Sequence, residues 1–188
     1  MNNWYLGAIN VYRLGTGVAL YHPLGSLLID CGDGAAGQWG ECGLSELGPT
    51  AILFTSGAAG RICGVYGFLS AFRGIQRKEP ISVVHLLGEE LLPNLIEAWQ
   101  QNEGRKPGAP IHLEGIRPGE TIEIGPFTCM SVVMNGDPIE AIWRISIGDK
   151  VVVVTGDTPP GQRLDHATRG ANLIVTPTGV SNLSTEVC

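Results

Sequence analysis

The sequence predicts a single α/β domain with β-sheet at its centre. Of its 188 residues, 44% are hydrophobic and 16% are charged, a balance that favours a buried core and argues against disorder. The 27 glycines lie mostly between apolar runs, which indicates tight turns between short strands. Predicted strands and helices are interspersed without a linker, so we treat residues 1–188 as one domain.

The first half of the chain predicts two buried strands, each followed by a turn of small or polar residues. Gly25–Asp30 is a short apolar run that leads into the acidic turn Cys31–Gly34. Thr50–Thr55 repeats this arrangement and leads into the Gly-rich turn Ser56–Gly60. The apolar spacing over Ile62–Arg73 then predicts a helix.

The second half predicts one further long helix among several strands. Glu89–Gln101 opens with two acidic residues, which suit the positive end of a helix dipole, and it carries one apolar stripe. Turns at Gly125–Pro126 and Asn135–Pro138 indicate antiparallel neighbours. The predicted strands are Ile81–Leu87, Thr121–Ile124, Phe127–Met134, Ile139–Ile147, Val151–Thr155 and Leu173–Thr176.

Charge and cysteine usage restrict the class of function. The formal net charge is -6 and there is no block of basic residues, so RNA binding is not supported. The five cysteines are odd in number and form no CxxC pair, which favours reduced thiols and a cytoplasmic protein. The sequence shows neither a signal-peptide pattern nor an apolar run of the roughly 20 residues that a membrane span needs.

Four segments combine apolar runs with turns that contain Gly or Asp. They are Leu14–Gly17, Leu28–Gly34, Ile52–Leu69 and Val154–Thr158. In their order and spacing they resemble the ribonuclease Z branch of the metallo-β-lactamase-fold proteins. The resemblance covers nearly the whole chain and implies an αββα four-layer sandwich, with two sheets face to face and helices outside.

The resemblance also implies that the family's metal motif has been lost. That motif reads Thr-His-x-His-x-Asp-His, and the matching stretch here begins at Thr55. Ser56, Ala58, Gly60 and Arg61 stand in place of the first His, the second His, the Asp and the last His. Zinc is bound by imidazole, thiolate or carboxylate ligands, whereas Arg61 brings a permanent positive charge.

Of the other ligand positions, the family's next His is replaced by Asn135 and the bridging Asp is retained as Asp157. No His follows the last predicted strand. We therefore expect no metal, no other cofactor and no catalytic residue, and a non-catalytic ligand- or partner-binding protein. One alternative is a hydrolase or phosphodiesterase with a rebuilt site around Asp157. Another is a scaffold subunit of an active homologue.

The turns that follow Asp30, Thr55, Met134 and Thr155 should converge in one cleft at a sheet edge. We take Asp30, Asp33, Thr55 and Thr158 as candidates for this cleft, although carboxylates in turns more often cap the backbone. In the family, the residues at the positions of Arg61 and Asp157 bind the same metal. We therefore predict a direct Arg61–Asp157 salt bridge, with Asn135 as a further donor.

The resemblance has one further implication, for assembly. Ribonuclease Z acts on transfer RNA precursors as a dimer, so a homodimer is expected here, formed through the helix Glu89–Gln101 or the helix after Ile62. The family's projecting substrate-clamping arm has no obvious counterpart in the sequence.

Overall fold

The first of two sheets is built from the amino-terminal half of the chain. The computed structural model describes residues 3–72, 77–103, 110–117, 119–134, 139–159, 161–177 and 179–182. Within these ranges the first sheet has seven strands, ordered as in the sequence. Strands β1 to β4 are antiparallel and β4 to β7 are parallel. They are β1 (Asn3–Leu6), β2 (Ile9–Leu14), β3 (Gly17–His22), β4 (Gly25–Ile29), β5 (Ala51–Leu53), β6 (Ile81–Leu86) and β7 (Ile111–Ile116).

The second sheet comes from the carboxyl-terminal half. Its order in the described part of the chain is β13-β12-β11-β10-β9-β8, with only β11 and β12 parallel. The strands are β8 (Thr121–Ile124), β9 (Phe127–Met134), β10 (Glu140–Ile147), β11 (Lys150–Val154), β12 (Leu173–Thr176) and β13 (Gly179–Asn182). The helices are α1 (Ala35–Glu41), α2 (Ala59–Ile62), α3 (Val65–Ala71), α4 (Leu91–Glu103) and α5 (Gln162–Thr168).

The two sheets pack face to face with helices on both outer sides, so the predicted αββα sandwich is confirmed. Successive strand residues point to opposite faces. In β5, Leu53 belongs to the core between the sheets, whereas Ile52 packs beneath α1, α3 and α4. In β11, Val152 lies in the core between the sheets and Val153 packs near Ala167 of α5. No helix in the described ranges is long and apolar enough to cross a membrane.

The predicted helix Ile62–Arg73 is wrong in its bounds. The structure instead forms α2 and α3, which are separated at Cys63 and Gly64. The break follows from a tertiary contact, because the Gly64 N–H donates to the carbonyl of Cys31 at 2.9 Å. Arg73 lies outside the described residues.

The other predicted elements differ mainly at their ends. Helix α4 begins at Leu91 because the Glu89 carboxylate accepts hydrogen bonds from the first backbone N–H groups of the helix. Thr55 lies beyond β5, where its carbonyl accepts from Ala141 of β10 at 2.7 Å and so joins the two sheets. Several elements were not predicted, namely β1, β2, β3, β7, β13, α1 and α5.

Candidate functional site

Polar side chains from both sheets meet at the carboxyl ends of their central strands. Asp30 follows β4 directly, Thr55 follows β5 after one residue, and Asp157 follows β11 after two. Because β4 and β5 are parallel neighbours, their following residues emerge at one edge of the sheet. Helix α2 brings Arg61 into the same space. The turns after Asp30, Thr55 and Thr155 therefore contribute residues to one region, whereas the predicted contribution of the turn after Met134 falls on residues 135–138, which lie outside the described residues.

The Arg61 guanidinium lies between two carboxylates. Its Nη1 is 3.2 Å from Asp30 Oδ2 and 3.1 Å from the carbonyl oxygen of Thr16. Its Nε donates to Asp157 Oδ2 at 3.3 Å, and its Nη2 donates to Asp157 Oδ1. The predicted Arg61–Asp157 salt bridge is therefore present and makes two hydrogen bonds, while Asp30 is a second carboxylate partner that was not predicted.

The two carboxylates differ sharply in burial. The Asp157 side chain is 54% exposed, whereas the Asp30 side chain is 1% exposed and that of Arg61 is 8% exposed. The Coulomb attraction of Arg61 for Asp30 therefore acts with little solvent screening. The Asp157 carboxylate lies on the solvent-facing side of the Arg61 guanidinium, where water competes for the carboxylate oxygens.

Asp30 is held by hydrogen bonds as well as by charge. Its Oδ1 accepts from the Thr55 backbone N–H at 2.8 Å, and its Oδ2 accepts from Thr55 Oγ1 at 2.8 Å. Its backbone adopts a φ of 59°, a conformation that Asp tolerates better than most residues. Burial raises the pKa of Asp30 to about 6, against the opposing effects of Thr55 and Arg61.

The backbone beneath the site is packed so closely that two positions require glycine. A Cβ placed on Gly64 would lie 1.8 Å from the carbonyl oxygen of Gly32, and one on Gly32 would lie 2.1 Å from Thr16 Oγ1. The Cys31 N–H also donates to the Arg61 carbonyl at 2.7 Å. These contacts join the turn after β4 to α2 and so position the Arg61 side chain.

Three of the other motif positions have structural roles. Ser56 is buried, its Oγ accepts from the Ala58 N–H at 3.4 Å, and its backbone bridges to Glu140. Ala58 precedes α2 as its N-cap. The Gly60 carbonyl accepts from Thr16 Oγ1 at 3.0 Å.

The remaining candidates are less closely connected to Arg61. Asp33 is exposed and has no hydrogen-bond or ion-pair partner among the residues that the structure describes. Thr158 is buried, and its Oγ1 has no partner in the same ranges. Asn135, the predicted further donor, lies outside the described residues.

Sequence reasoning missed two residues at this edge. Thr16 contributes its carbonyl to Arg61, and Arg13 Nη1 donates to the Thr176 carbonyl at 2.6 Å. Burial, with the nearby charge of Arg61, lowers the pKa of Arg13. The Gly-containing turn Leu14–Gly17 marked this region in the sequence, but nothing in that turn indicated which group its backbone would bind.

The residues at this site do not fit a zinc ion. Within the described ranges, no group of three or more His, Cys, Asp or Glu side chains is arranged to hold a metal. In the part of the chain that the structure describes, two carboxylates contact Arg61, both are bound by its guanidinium, and no imidazole accompanies them. A fixed cation of the protein itself occupies the position between the carboxylates.

A cavity of about 440 Å³ opens beside this site. It lies between the turn after β5 and the start of α4, and its lining includes Gly57, Ala58, Glu89, Leu91 and Ile139. The lining also includes Glu90, and the Glu89 carboxylate accepts hydrogen bonds from the N–H groups at the start of α4. This volume is within the range of pockets that bind small molecules.

Comparison with solved structures shows which fold this is. The metallo-β-lactamase fold protein YhfI from Bacillus subtilis is similar with a TM-score of 0.65 and 18% identity, over 84% of this chain and 61% of YhfI. Human tRNase Z, short form, has a TM-score of 0.67 and 16% identity, over 84% of this chain and 69% of that enzyme. The chain therefore has the metallo-β-lactamase fold and spans less than two thirds of the length of YhfI.

A third similar structure is a metallo-β-lactamase from Cronobacter sakazakii with a HARLDQ motif. Its TM-score is 0.59 at 14% identity, over 94% of this chain and 80% of that enzyme. No protein-family profile and no curated protein matches the sequence. At these identities the likeness describes the fold and not the activity.

Proposed function

We propose that this protein, whose chain has the metallo-β-lactamase fold, is a ribonuclease Z-like protein that has lost its metal site and acts as a non-catalytic binding protein. The observation that carries the proposal is the placement of the Arg61 guanidinium between Asp30 and Asp157. In metal-dependent hydrolases of this type, a bound cation generates hydroxide at neutral pH. Here a guanidinium holds the carboxylates, and it has no open coordination position for water.

An arginine alone does not decide the question. The HARLDQ motif of the Cronobacter enzyme contains an arginine together with a His and an Asp, and that protein is named a metallo-β-lactamase. In this chain Ser56, Ala58 and Gly60 supply neither imidazole nor carboxylate. The proposal therefore depends on these three positions as much as on Arg61.

The binding role is supported by the cavity beside the site. Its lining combines backbone near Gly57 and Ala58 with the side chains of Leu91 and Ile139. We place a small ligand or a partner segment here. We also propose a cytoplasmic location, since the four described cysteines are free thiols, and a homodimer, which stays a prediction.

Elemental analysis after purification without chelator tests the loss of the metal. We expect well below one zinc, manganese or iron per chain, and no hydrolysis of bis(p-nitrophenyl) phosphate above background. One metal per chain that a chelator removes would contradict the proposal. Hydrolysis that disappears in Asp157→Ala would instead favour the alternative of a rebuilt hydrolase site.

Two variants make this test sharper. Arg61→His alone should bind no zinc, because its neighbours still supply no ligands. The combined variant Ser56→His, Ala58→His, Gly60→Asp and Arg61→His restores the family motif beside Asp157. It should gain zinc binding if these positions are the former ligand positions. A folded combined variant with no zinc affinity would show that the assignment of these positions is wrong.

A further inference from the structure

The outer face of the second sheet carries a cavity of about 250 Å³ that is separate from the Arg61 site. It is lined by Met130, Val132, Arg144, His166, Ala167 and Arg169. Met130 and Arg144 are paired across β9 and β10, and their neighbours Cys129 and Trp143 belong to the core between the sheets. Because strand residues alternate between faces, the cavity opens away from that core, beside α5.

The lining divides into an apolar part and a cationic part. Met130, Val132 and Ala167 provide the apolar surface. Arg144 and Arg169 carry permanent positive charges, and His166 adds an imidazole. Among the described residues no carboxylate lines the cavity, although acidic residues outnumber basic ones by 18 to 12 in the chain. The local charge is therefore opposite in sign to that of the whole protein.

Arg144 is held in place by hydrogen bonds from one nitrogen and has further N–H donors. Its Nη1 donates to the carbonyls of Ala167 and Arg169, at 3.1 Å and 3.0 Å, at the end of α5. Its Nε and Nη2 have no partner among the residues that the structure describes. A guanidinium held by one nitrogen presents its remaining N–H groups at low entropic cost, which suits a planar or tetrahedral anion.

We propose that this cavity binds a small organic anion, a carboxylate or phosphate group attached to an apolar body of about one ring. The guanidinium groups of Arg144 and Arg169 bind the anionic group, and Met130 and Val132 contact the apolar body. The volume lies just below the roughly 300–1,000 Å³ of sites for drug-sized ligands, so the ligand is smaller than those. This inference does not rest on the proposed function.

The alternative role for Arg144 is purely structural. Cations favour helix C-termini, and Arg144 bonds to the last carbonyls of α5. That role explains Arg144 but predicts no binding of anions. It also does not explain why Arg169 and His166 lie beside the apolar residues of the cavity. The two roles are therefore separated by a binding measurement.

Calorimetric titration of the full chain with phenyl phosphate and with 3-phenylpropionate tests the proposal. We expect saturable binding of at least one of the two, and the stronger binder distinguishes a phosphate from a carboxylate ligand. Benzyl alcohol lacks the anionic group and inorganic phosphate lacks the apolar body, so each should bind at least tenfold more weakly. Saturable binding of neither aromatic anion would overturn the proposal, and so would equal binding of the neutral alcohol.

Arg169→Gln is the informative variant and Arg163→Gln is its matched control. Both positions are exposed and near or on α5, but Arg163 does not line the cavity. Loss of a charge-assisted hydrogen bond should weaken binding about tenfold in Arg169→Gln, with no change in Arg163→Gln. Equal effects of the two variants would indicate general electrostatics and refute the site.

Mapping amide chemical-shift changes in the wild-type protein tests the binding site without any variant, so the stability of a variant does not affect the result. The aromatic anion should shift amides in β9, β10 and the end of α5. Shifts confined to the cavity near Gly57 and Glu89 would place the ligand elsewhere and overturn the assignment. Such a result would leave the proposed function of the Arg61 site intact.

Discussion

Two arginines at opposite ends of the first sheet have different kinds of partner. At the carboxyl ends of β4 and β5, Arg61 is bound by the carboxylates of Asp30 and Asp157. At the amino ends of β5 and β6, Arg77 donates to main-chain carbonyls. Its acceptors are Leu47 at 2.8 Å, Pro49 at 2.7 Å, Glu79 at 2.7 Å and Pro80 at 3.4 Å.

The charge of Arg61 is neutralised by its partners, whereas the charge of Arg77 is not. Arg77 ties loops together through carbonyls that never ionise, and burial lowers its pKa, with Glu79 opposing that effect. Arg61 instead neutralises carboxylates, one of them completely buried. Removing Arg77 should therefore cost hydrogen bonds, whereas removing Arg61 should also leave a buried negative charge without compensation.

The largest effect is expected from Arg61→Ala. The free energy of unfolding at pH 7 should fall by about 3 kcal/mol, because one buried partner of an ion pair is removed. Urea unfolding followed by circular dichroism measures this. Asp157→Ala is the matched comparison and should cost less, since that carboxylate is half exposed. A loss within about 0.5 kcal/mol for Arg61→Ala would place it among surface substitutions and contradict the comparison.

The pH dependence of stability should reveal Asp30. Its pKa is raised in the folded protein, so the folded state binds more protons than the unfolded state between pH 3.8 and about 6. Stability relative to Asp30→Asn should therefore fall as the pH rises through this window, by about 3 kcal/mol. Asn also tolerates the positive φ of this position. A relative stability that rises with pH would show that Arg61 outweighs burial.

The smallest of the three effects is expected from Arg77→Ala. Losing hydrogen bonds to partly exposed carbonyls should cost about 1 kcal/mol. The loss should be the same at pH 5 and pH 8, because the acceptors do not titrate. Parallel urea titrations of Arg77→Ala and Arg61→Ala at both pH values measure this. A cost for Arg77→Ala that matches or exceeds that of Arg61→Ala would remove the distinction between the two ends of the sheet.

The sequence predicted several strongly apolar elements well, although the apolar strand β3 was missed, and it predicted the mixed elements poorly. Val151–Thr155 and Phe127–Met134 are recognisable because continuous β-branched or alternating apolar residues are typical of strands. Strand β7 contains His112, Glu114 and Gly115, and its predominantly intermediate burial leaves little periodicity. Helix α1 contains two glycines, so its local sequence does not favour a helix.

Only the contact between Arg61 and Asp157 was predictable, because in the family the residues at these two positions bind the same metal. Arg61 and Asp157 are 96 residues apart, and only the order of motifs in the resemblance brought them together. Asp30 was identified as a cleft residue but not as a partner of Arg61, because its side-chain direction depends on the positive φ after β4. The cavity beside α5 was not predicted, because Arg144 is more than 20 residues from His166 and Arg169 in the sequence and no motif connects them.

The crossing of Gly32 and Gly64 has a consequence for mutational scanning of this protein. Neither residue has a side chain that touches a ligand, yet almost any substitution there would push apart the two segments that hold Arg61. In a deep mutational scan both positions would be as intolerant as true binding residues. In a set of homologues both would look invariant. Scored by such data alone, the backbone crossing would be mistaken for part of an active site.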